Sequence, residues 1–349
     1  MKLRILVIMD PLIPVPPLHY GGIERVVSDV TDELCRRGHE VTLWAAPGSR
    51  TLARVEPFGR AGEWTRWSNV RNVCLLTGRL RRRSGSFDVV HNFGRLAYLV
   101  GVLRADTPKV QTYMRAVTPR NIRVADRLGA RRLRYTAVSA AIADGGRRGG
   151  GLWSVIYNCA DATRYEPRID VDPDTAPLIF LGRLERCKGA HTAIAVAQRA
   201  NRRLIIAGNL SDLAHERAYF HREIEPHVDG RSITYVGPVN DPSKRELLER
   251  AAAVLLPVEW EEPFPVVLPE AMLCGTPVIG FRRGGVPEGI DHGTTGFVCD
   301  TADEMASLVK RLGSIDRGKC RAEAERRFAH TEITSDYERL YRDLLTRGG

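Results

Sequence analysis

Residues Leu256 to Pro287 read LPVEWEEPFPVVLPEAMLCGTPVIGFRRGGVP, and the order of apolar runs and breakers in that stretch decides the fold. Ala253 to Pro257 closes a buried strand, an acid-bearing loop follows, a helix spans about Pro265 to Cys274 and stops at Gly275, and Pro277 to Phe281 is a second strand. A loop that leaves the carboxyl end of a parallel strand and enters a helix is where open α/β sheets bind ligands. Glu262 falls on that loop and Glu270 about two turns inside the helix. Two carboxylates so arranged can hold hydroxyls on two parts of one elongated ligand. The amides of Phe264, Val266 and Val267 would face an anion between them.

Working outward, 349 residues exceed one typical core and suit two lobes. With 43% hydrophobic and 27% charged residues the composition is that of a soluble globular protein, and no apolar run approaches a membrane span. Leu3 to Met9 is short, is followed by Asp10 and a proline-rich loop, and reads as a first strand rather than a signal peptide. Seven scattered cysteines without a Cys-x-x-Cys pair favour reduced thiols, hence a cytoplasmic protein, over disulfides or a zinc site.

The net charge of +10 comes largely from arginines at Arg79 to Arg83 and between Arg115 and Arg134. They are not interleaved with stacking aromatics, and no nucleic-acid module accompanies them, so nucleic acid is not an expected partner. A solvated arginine-rich face is the simplest account. Peripheral contact of the basic first lobe with the acidic inner face of a membrane, or attraction of an anionic acceptor, is the second.

Strand and helix alternate from the start, which means a parallel sheet covered on both sides. Gly22 to Arg37 is a helix with Ile23, Val26, Val27, Val30 and Leu34 on one face, and Val41 to Ala45 is the next strand. Further strands are expected at Asn72 to Leu76, Asp88 to His91, Lys109 to Thr112, Arg134 to Val138 and Ser154 to Tyr157. There is no Gly-x-Gly-x-x-Gly and no Walker A pattern. Instead His19-Tyr20-Gly21-Gly22 opens the first helix, and paired glycines there let a ligand approach bare amides. His91 ends a buried strand and is expected to face the cleft; an ordinary structural histidine is the alternative. The polar run Glu166 to Pro177 fits a linker.

The second half begins with the strand Pro177 to Gly182, then Arg183-Leu184-Glu185-Arg186-Cys187-Lys188-Gly189 and a helix from Ala190 to Ala200. Gly182 permits a tight exit, and Arg183 and Lys188 in one strand-to-helix loop suit a diphosphate, Arg as a bidentate fork and Lys as a point charge. Strands follow at Arg203 to Ala207 and Ile233 to Val236, and helices at Leu213 to Val228 and Ser243 to Ala251. The last helix, about Thr331 to Leu345, presents Tyr337, Leu340, Tyr341 and Leu344 on one face.

Glu-Pro-Phe, Glu-Ala-Met, Gly-Thr-Pro-Val and Gly-Gly-x-Pro-Glu, in that order, resemble the Glu-x7-Glu segment of the retaining glycosyltransferases of family 4. Gly-Arg-Leu followed by Lys-Gly at 182–189 and the Gly21–Gly22 loop extend the resemblance over nearly the whole chain. It implies an α/β GT-B fold, two Rossmann-like lobes with parallel sheets facing a central cleft. Residues 1–160 would form the acceptor lobe, with the closing helix at 331–349 returning to it, and 161–330 the donor lobe. It implies a metal-independent retaining transfer from a nucleotide-diphosphate sugar, UDP- or GDP-linked, to a hydroxyl of a natural-product aglycone or a glycan or lipid-linked precursor. No cofactor is implied, and no metal. Arg183 and Lys188 would hold the diphosphate, Glu270 the ribose, Glu262 the donor sugar, and His91 would line the cleft. Gly21 and Gly22 would cover the diphosphate and acceptor. Three departures stand out: Phe93 where a second histidine is frequent, Cys159 where glycine is common, and Pro265, which has no amide hydrogen, where glycine is common. Two other readings use the same architecture: an epimerase or phosphorylase, and a catalytically degenerate nucleotide-sugar binding protein.

Overall fold

A computed structural model describes residues 2–18, 21–62 and 65–346. His19 and Tyr20 lie outside them, as do 347–349 at the end of the closing segment. The chain divides into two compact units, residues 1–159 with 330–349, and residues 160–329.

Among the described residues the first unit holds one parallel sheet of β1 (Arg4–Ile8), β2 (Glu40–Ala45), β3 (Arg54–Pro57), β4 (Val89–Asn92), β5 (Lys109–Tyr113), β6 (Leu133–Ala137) and β7 (Trp153–Val155). The strand order is β3-β2-β1-β4-β5-β6-β7. Its helices are α1 (Gly22–Arg36), α2 (Arg66–Arg83), α3 (Pro119–Arg127) and α4 (Ala140–Arg147). The second unit has β8 (Leu178–Leu181), β9 (Leu204–Ala207), β10 (Ile233–Tyr235), β11 (Ala253–Leu256), β12 (Val278–Phe281) and β13 (Gly296–Cys299), all parallel, in the order β10-β9-β8-β11-β12-β13. With them run α5 (Ala190–Arg199), α6 (Ala214–Tyr219), α7 (Asp241–Glu249), α8 (Val267–Leu273), α9 (Val286–Gly289), α10 (Ala302–Val309) and α11 (Arg317–Phe328). The chain ends in α12 (His330–Thr346), part of the first unit.

Each core follows from strands buried on both faces. Ile5 to Ile8 of β1 and Val254 and Leu255 of β11 are completely buried, as central parallel strands require. In the first unit Leu6, Ile8, Trp44, Val90, Leu76 and Leu80 belong to one apolar cluster; in the second, Leu178, Phe180, Ile194, Ile206, Leu255 and Phe297 belong to another. The closing helix α12 is fastened to α1 by charge: Arg37 donates to Glu33 and Glu338, and His39 meets Glu338 at 2.7 Å. Both strand orders reverse beside the first strand of the unit, between β1 and β4 and between β8 and β11. A ligand crevice is expected outside the carboxyl ends of those pairs.

Three local expectations are corrected. Asn72 to Leu76 is not a strand but the middle of α2, which opens with a Thr65–Ser68 capping box and buries Ser68, Asn72, Leu76 and Leu80, a stripe at every fourth residue whose two polar members hid the period. The helix expected from Leu213 to Val228 is broken into α6, a π-type turn at Phe220–Ile224 and a 3-10 turn at Glu225–His227. The helix expected from Pro265 begins at Val267. Had it begun at Pro265, Pro269 would stand in its interior and its ring would collide with the Pro265 carbonyl; beginning at Val267, Pro269 falls in the first turn, where a missing N–H is harmless. The Pro265 carbonyl instead accepts from the Leu268 amide at 3.1 Å. Glu270 therefore sits in the first turn of α8 and not two turns inside.

Candidate active site

The loops after β8 and β11 are held together by glycines that admit no side chain. Gly208 runs so close to Gly182 that a Cβ on it would lie 1.7 Å from the Gly182 carbonyl oxygen. Gly189, at φ +80°, lies against Pro257, where a Cβ would meet the carbonyl oxygen at 2.0 Å, and the Glu259 amide donates to the Cys187 carbonyl at 2.8 Å. Gly284, at φ +55°, lies against Glu262: a Cβ there would stand 2.2 Å from its carbonyl oxygen. The Gly285 amide donates to that same carbonyl at 2.7 Å, and the Gly284 amide to the Glu261 carboxylate at 2.7 Å. The Gly-Gly-x-Pro-Glu turn thus fixes the backbone that carries Glu262.

On this frame the side chains pair across the strand reversal. Lys188 Nζ donates to Glu262 Oε2 at 2.6 Å, and Trp260 Nε1 donates to the same oxygen at 2.6 Å. The Lys188 ammonium also lies 4.9 Å from the Trp260 ring centroid. Glu270 Oε1 accepts from Lys244 Nζ at 2.5 Å and from the Tyr165 hydroxyl at 3.0 Å. Both carboxylates are buried, so each needs its cation to offset lost hydration. Arg183 pairs with Glu185 at 2.7 Å and is 38% exposed, leaving it within reach of solvent and of a ligand. Gly182 donates its amide to the Ala207 carbonyl at 3.0 Å and shapes the exit of β8.

The structure brings Gly182, Arg183 and Lys188 into one loop and joins Lys188 directly to Glu262. Glu270 belongs to a different ion pair. Phe264 is buried with its ring 5.4 Å from that of Phe328, while Val266 and Val267 open α8, where the first-turn amides have no intrahelical acceptor. Lys244 and Tyr165 bond Glu270, and Trp260 bonds Glu262, yet none of the three is part of the motif pattern. Only the indole of Trp260, two residues before Glu262, lay close enough in sequence to have been found.

Gly21, Gly22 and His91 lie in the first unit. Gly21, at φ +149°, precedes α1 with Pro17 close against it, and Glu24 lies within that first turn. Burial pushes the Glu24 carboxyl above its usual range, its own backbone amide and Arg115 pulling it down and Asp10 raising it further. His91, expected to face the cleft, is corrected: it is completely buried, with Nδ1 2.6 Å from the Tyr341 hydroxyl and Nε2 2.7 Å from Thr112 Oγ1. Phe93 and Tyr337 close over it at ring-centroid distances of 3.9 and 4.7 Å. Burial alone drives its pKa down to about 3, so it is a neutral packing residue. Asp10, just past β1, escaped the sequence reading. It is buried, with Arg95 Nε 3.6 Å from Oδ1 and Arg115 Nη2 3.6 Å from Oδ2.

Among the described residues no three His, Cys, Asp or Glu side chains converge as a metal-ligand cluster, and no helix is long and apolar enough to cross a membrane. The seven cysteines form no disulfide.

Two family models match adjoining parts of the chain. That of the group 1 glycosyl transferases matches residues 162–329, and that of Glycosyltransferase Family 4 matches residues 20–164. Glycogen synthase of Mycobacterium tuberculosis is 28% identical, over 93% of this chain and 89% of its own. A D-inositol 3-phosphate glycosyltransferase of Thermobifida fusca is 25% identical, over 84% of this chain and 80% of its own. Among solved structures, AviGT4, a glycosyltransferase involved in avilamycin A biosynthesis, is similar at a TM-score of 0.72 and 27% identity, over 99% of this chain and 98% of its own. With two parallel-sheet α/β units and both family models, the chain belongs to the family 4 glycosyltransferases and has the GT-B fold.

Proposed function

We propose that this glycosyltransferase takes a nucleotide-diphosphate sugar, UDP- or GDP-linked, and transfers the sugar with retention of anomeric configuration and without a divalent metal. The observation that carries the reading is the Lys188–Glu262 pair at 2.6 Å, a cation and a sugar-binding acid set side by side at the β8/β11 reversal. Lys188 and Arg183 swing from their carboxylates to the diphosphate and stabilise the charge that develops on it as the glycosidic bond breaks. Glu262, released from Lys188, accepts from donor-sugar hydroxyls. Glu270, held by Lys244 and Tyr165, accepts from the ribose. The first-turn amides of Val266 and Val267 add donors; Pro265 supplies none.

The acceptor hydroxyl oxygen attacks the anomeric carbon on the face from which the diphosphate departs. The bond from that carbon to the phosphate oxygen breaks, and the acceptor proton passes to the leaving phosphate. Glu262 and Glu270 then act neither as nucleophile nor as general acid, in contrast to a glycosidase pair. Two cations and helix amides do the work a metal would otherwise do, and no cofactor is required. Proton NMR of the product from an α-linked donor, with chelator present, tests this: an α-linked product at undiminished rate is expected, and a β-linked product or a chelator-abolished rate would overturn it.

Seven scattered cysteines without a Cys-x-x-Cys pair support a cytoplasmic enzyme. On α2, Trp67 is 83% and Val70 53% exposed beside exposed Arg66 and Arg71, with exposed Arg81 and Arg82 at the far end of the same helix, which supports peripheral contact with an anionic bilayer. Trp67→Ala should weaken co-sedimentation with anionic vesicles severalfold; equal sedimentation of variant and wild type would refute the contact.

A further inference from the structure

The first unit contains a cavity of about 450 Å³ at the carboxyl ends of β1, β4 and β5, within the size range of small-molecule sites. Leu96, Val100, Leu103, Met114, Val124 and Leu128 give it apolar walls. Its charged end is Asp10 with Arg95 and Arg115. Asp10 is 3% exposed, and its Oδ1 has no hydrogen-bond partner among the described residues: Arg95 Nε, at 3.6 Å, is beyond hydrogen-bond length, and Arg115 lies by the other oxygen. A buried carboxylate oxygen left without a donor is costly, and one aimed into a cavity is relieved by a ligand that brings one. Arg95 and Arg115 set positive charge on either side of the carboxylate, whose oxygens accept hydrogen bonds. Burial, and then Asp10, hold the neighbouring Tyr98 phenol in its protonated form.

We infer that this cavity is the acceptor subsite and that it selects an acceptor with an apolar body and a free hydroxyl: as the acceptor binds, the hydroxyl donates to Asp10 Oδ1, and it turns its proton to the leaving phosphate only as the glycosidic bond breaks, while the body lies against Leu96, Val100, Met114 and Val124. This rests on the transferase reading and narrows its acceptor. A glycan or a sugar phosphate would leave those apolar walls unsatisfied and would bring polar groups that they cannot pair. Two sources share the favoured chemistry, a flat aromatic aglycone and an isoprenoid alcohol.

Equilibrium dialysis tests it with four probes: a monohydroxyflavone, its methyl ether, farnesol and maltohexaose. It is run on wild type, Asp10→Leu and Val124→Arg, and UDP- and GDP-glucose binding is measured separately on each. Val124 is 45% exposed, so its replacement can charge the wall without emptying the core. The expected result is saturable binding of the hydroxyflavone or farnesol, whichever names the source, weakened at least tenfold in both variants, with the methyl ether at least tenfold weaker than its parent and donor binding unchanged. Preference for maltohexaose, equal affinity for flavone and ether, binding indifferent to both substitutions, or no apolar probe bound by protein that still binds donor would each overturn the inference. Loss of donor binding in wild type as well would instead refute the transferase reading.

Discussion

At the strand reversal of the first unit, β1 and β4 end in Asp10 and Phe93 to Arg95 beside an apolar cavity, whereas at that of the second, β8 and β11 end in loops that pair Lys188 with Glu262. The parallel topology is the same, and so is the crevice it creates. What differs is how charge is neutralised. In the second unit cation and carboxylate compensate each other in contact, and on the proposed reading they are exchanged for a ligand that carries both phosphate and hydroxyls. In the first, the carboxylate is flanked by arginines too distant to bond it, so one oxygen is left for a ligand's donor. On the proposed reading, one fold unit supplies two kinds of site through loop chemistry alone.

The sharpest way to break that contrast is to remove the cation. Lys188→Ala should lower kcat/KM about 10²–10³-fold, the loss typical of one donor to a developing charge, while leaving cavity binding in the first unit untouched. Steady-state kinetics alongside dialysis reads both, and a variant with wild-type turnover contradicts the assignment. Next in size, Glu262→Ala should chiefly reduce turnover or sugar choice, whereas Glu270→Ala should weaken nucleotide affinity by about 1.5–3 kcal/mol, the worth of hydrogen bonds to a charged group. Identical nucleotide affinities in both would remove the division of labour.

Gly284→Ala perturbs the frame rather than the chemistry. Its φ of +55° and the 2.2 Å approach to Glu262 predict destabilisation of about 1–3 kcal/mol, seen as a lower urea midpoint, with activity falling in step. An unchanged midpoint would mean that the turn does not clamp the Glu262 backbone.

The last effect is one of pH and appears only in acid. Burial pushes the folded-state pKa of His91 down to about 3, against ~6.5 when unfolded, so between these values the unfolded chain binds the extra proton. The stabilisation that comes from keeping His91 neutral is fully present above about pH 6.5 and is lost as pH falls toward 3. Urea midpoints for His91→Gln should fall less steeply over this window than those of the wild type, and parallel profiles would contradict the account.

The second-unit site was legible because its chemistry is local. Gly182 to Gly189 and Glu262 to Glu270 are each short strings in which breaker, cation and acid follow one another at fixed spacing. Lys244 and Tyr165 were not, since they reach Glu270 from 26 and 105 residues away. The first-unit cavity was illegible for the same reason. Asp10, Arg95, Arg115 and Val124 meet only once β1, β4 and β5 are side by side, and no one of them marks a motif. His91 shows the converse: the end of a strand was correctly read, but whether the side chain meets solvent depends on Tyr337 and Tyr341, some 250 residues on. The shape of α8 turned on one residue, Pro269, whose place in a helix is tolerable only within the first turn.

The most direct test of the central claim is isothermal titration of UDP- and GDP-glucose into wild type, Lys188→Ala and Glu270→Ala with EDTA throughout. The account predicts that one of the two donors binds the wild type as tightly with chelator as without, and that each substitution weakens it at least about tenfold, equivalent to ~1.4 kcal/mol. Binding that requires a divalent cation, or affinities equal in all three proteins, would contradict a donor site built from Lys188, Glu262 and Glu270.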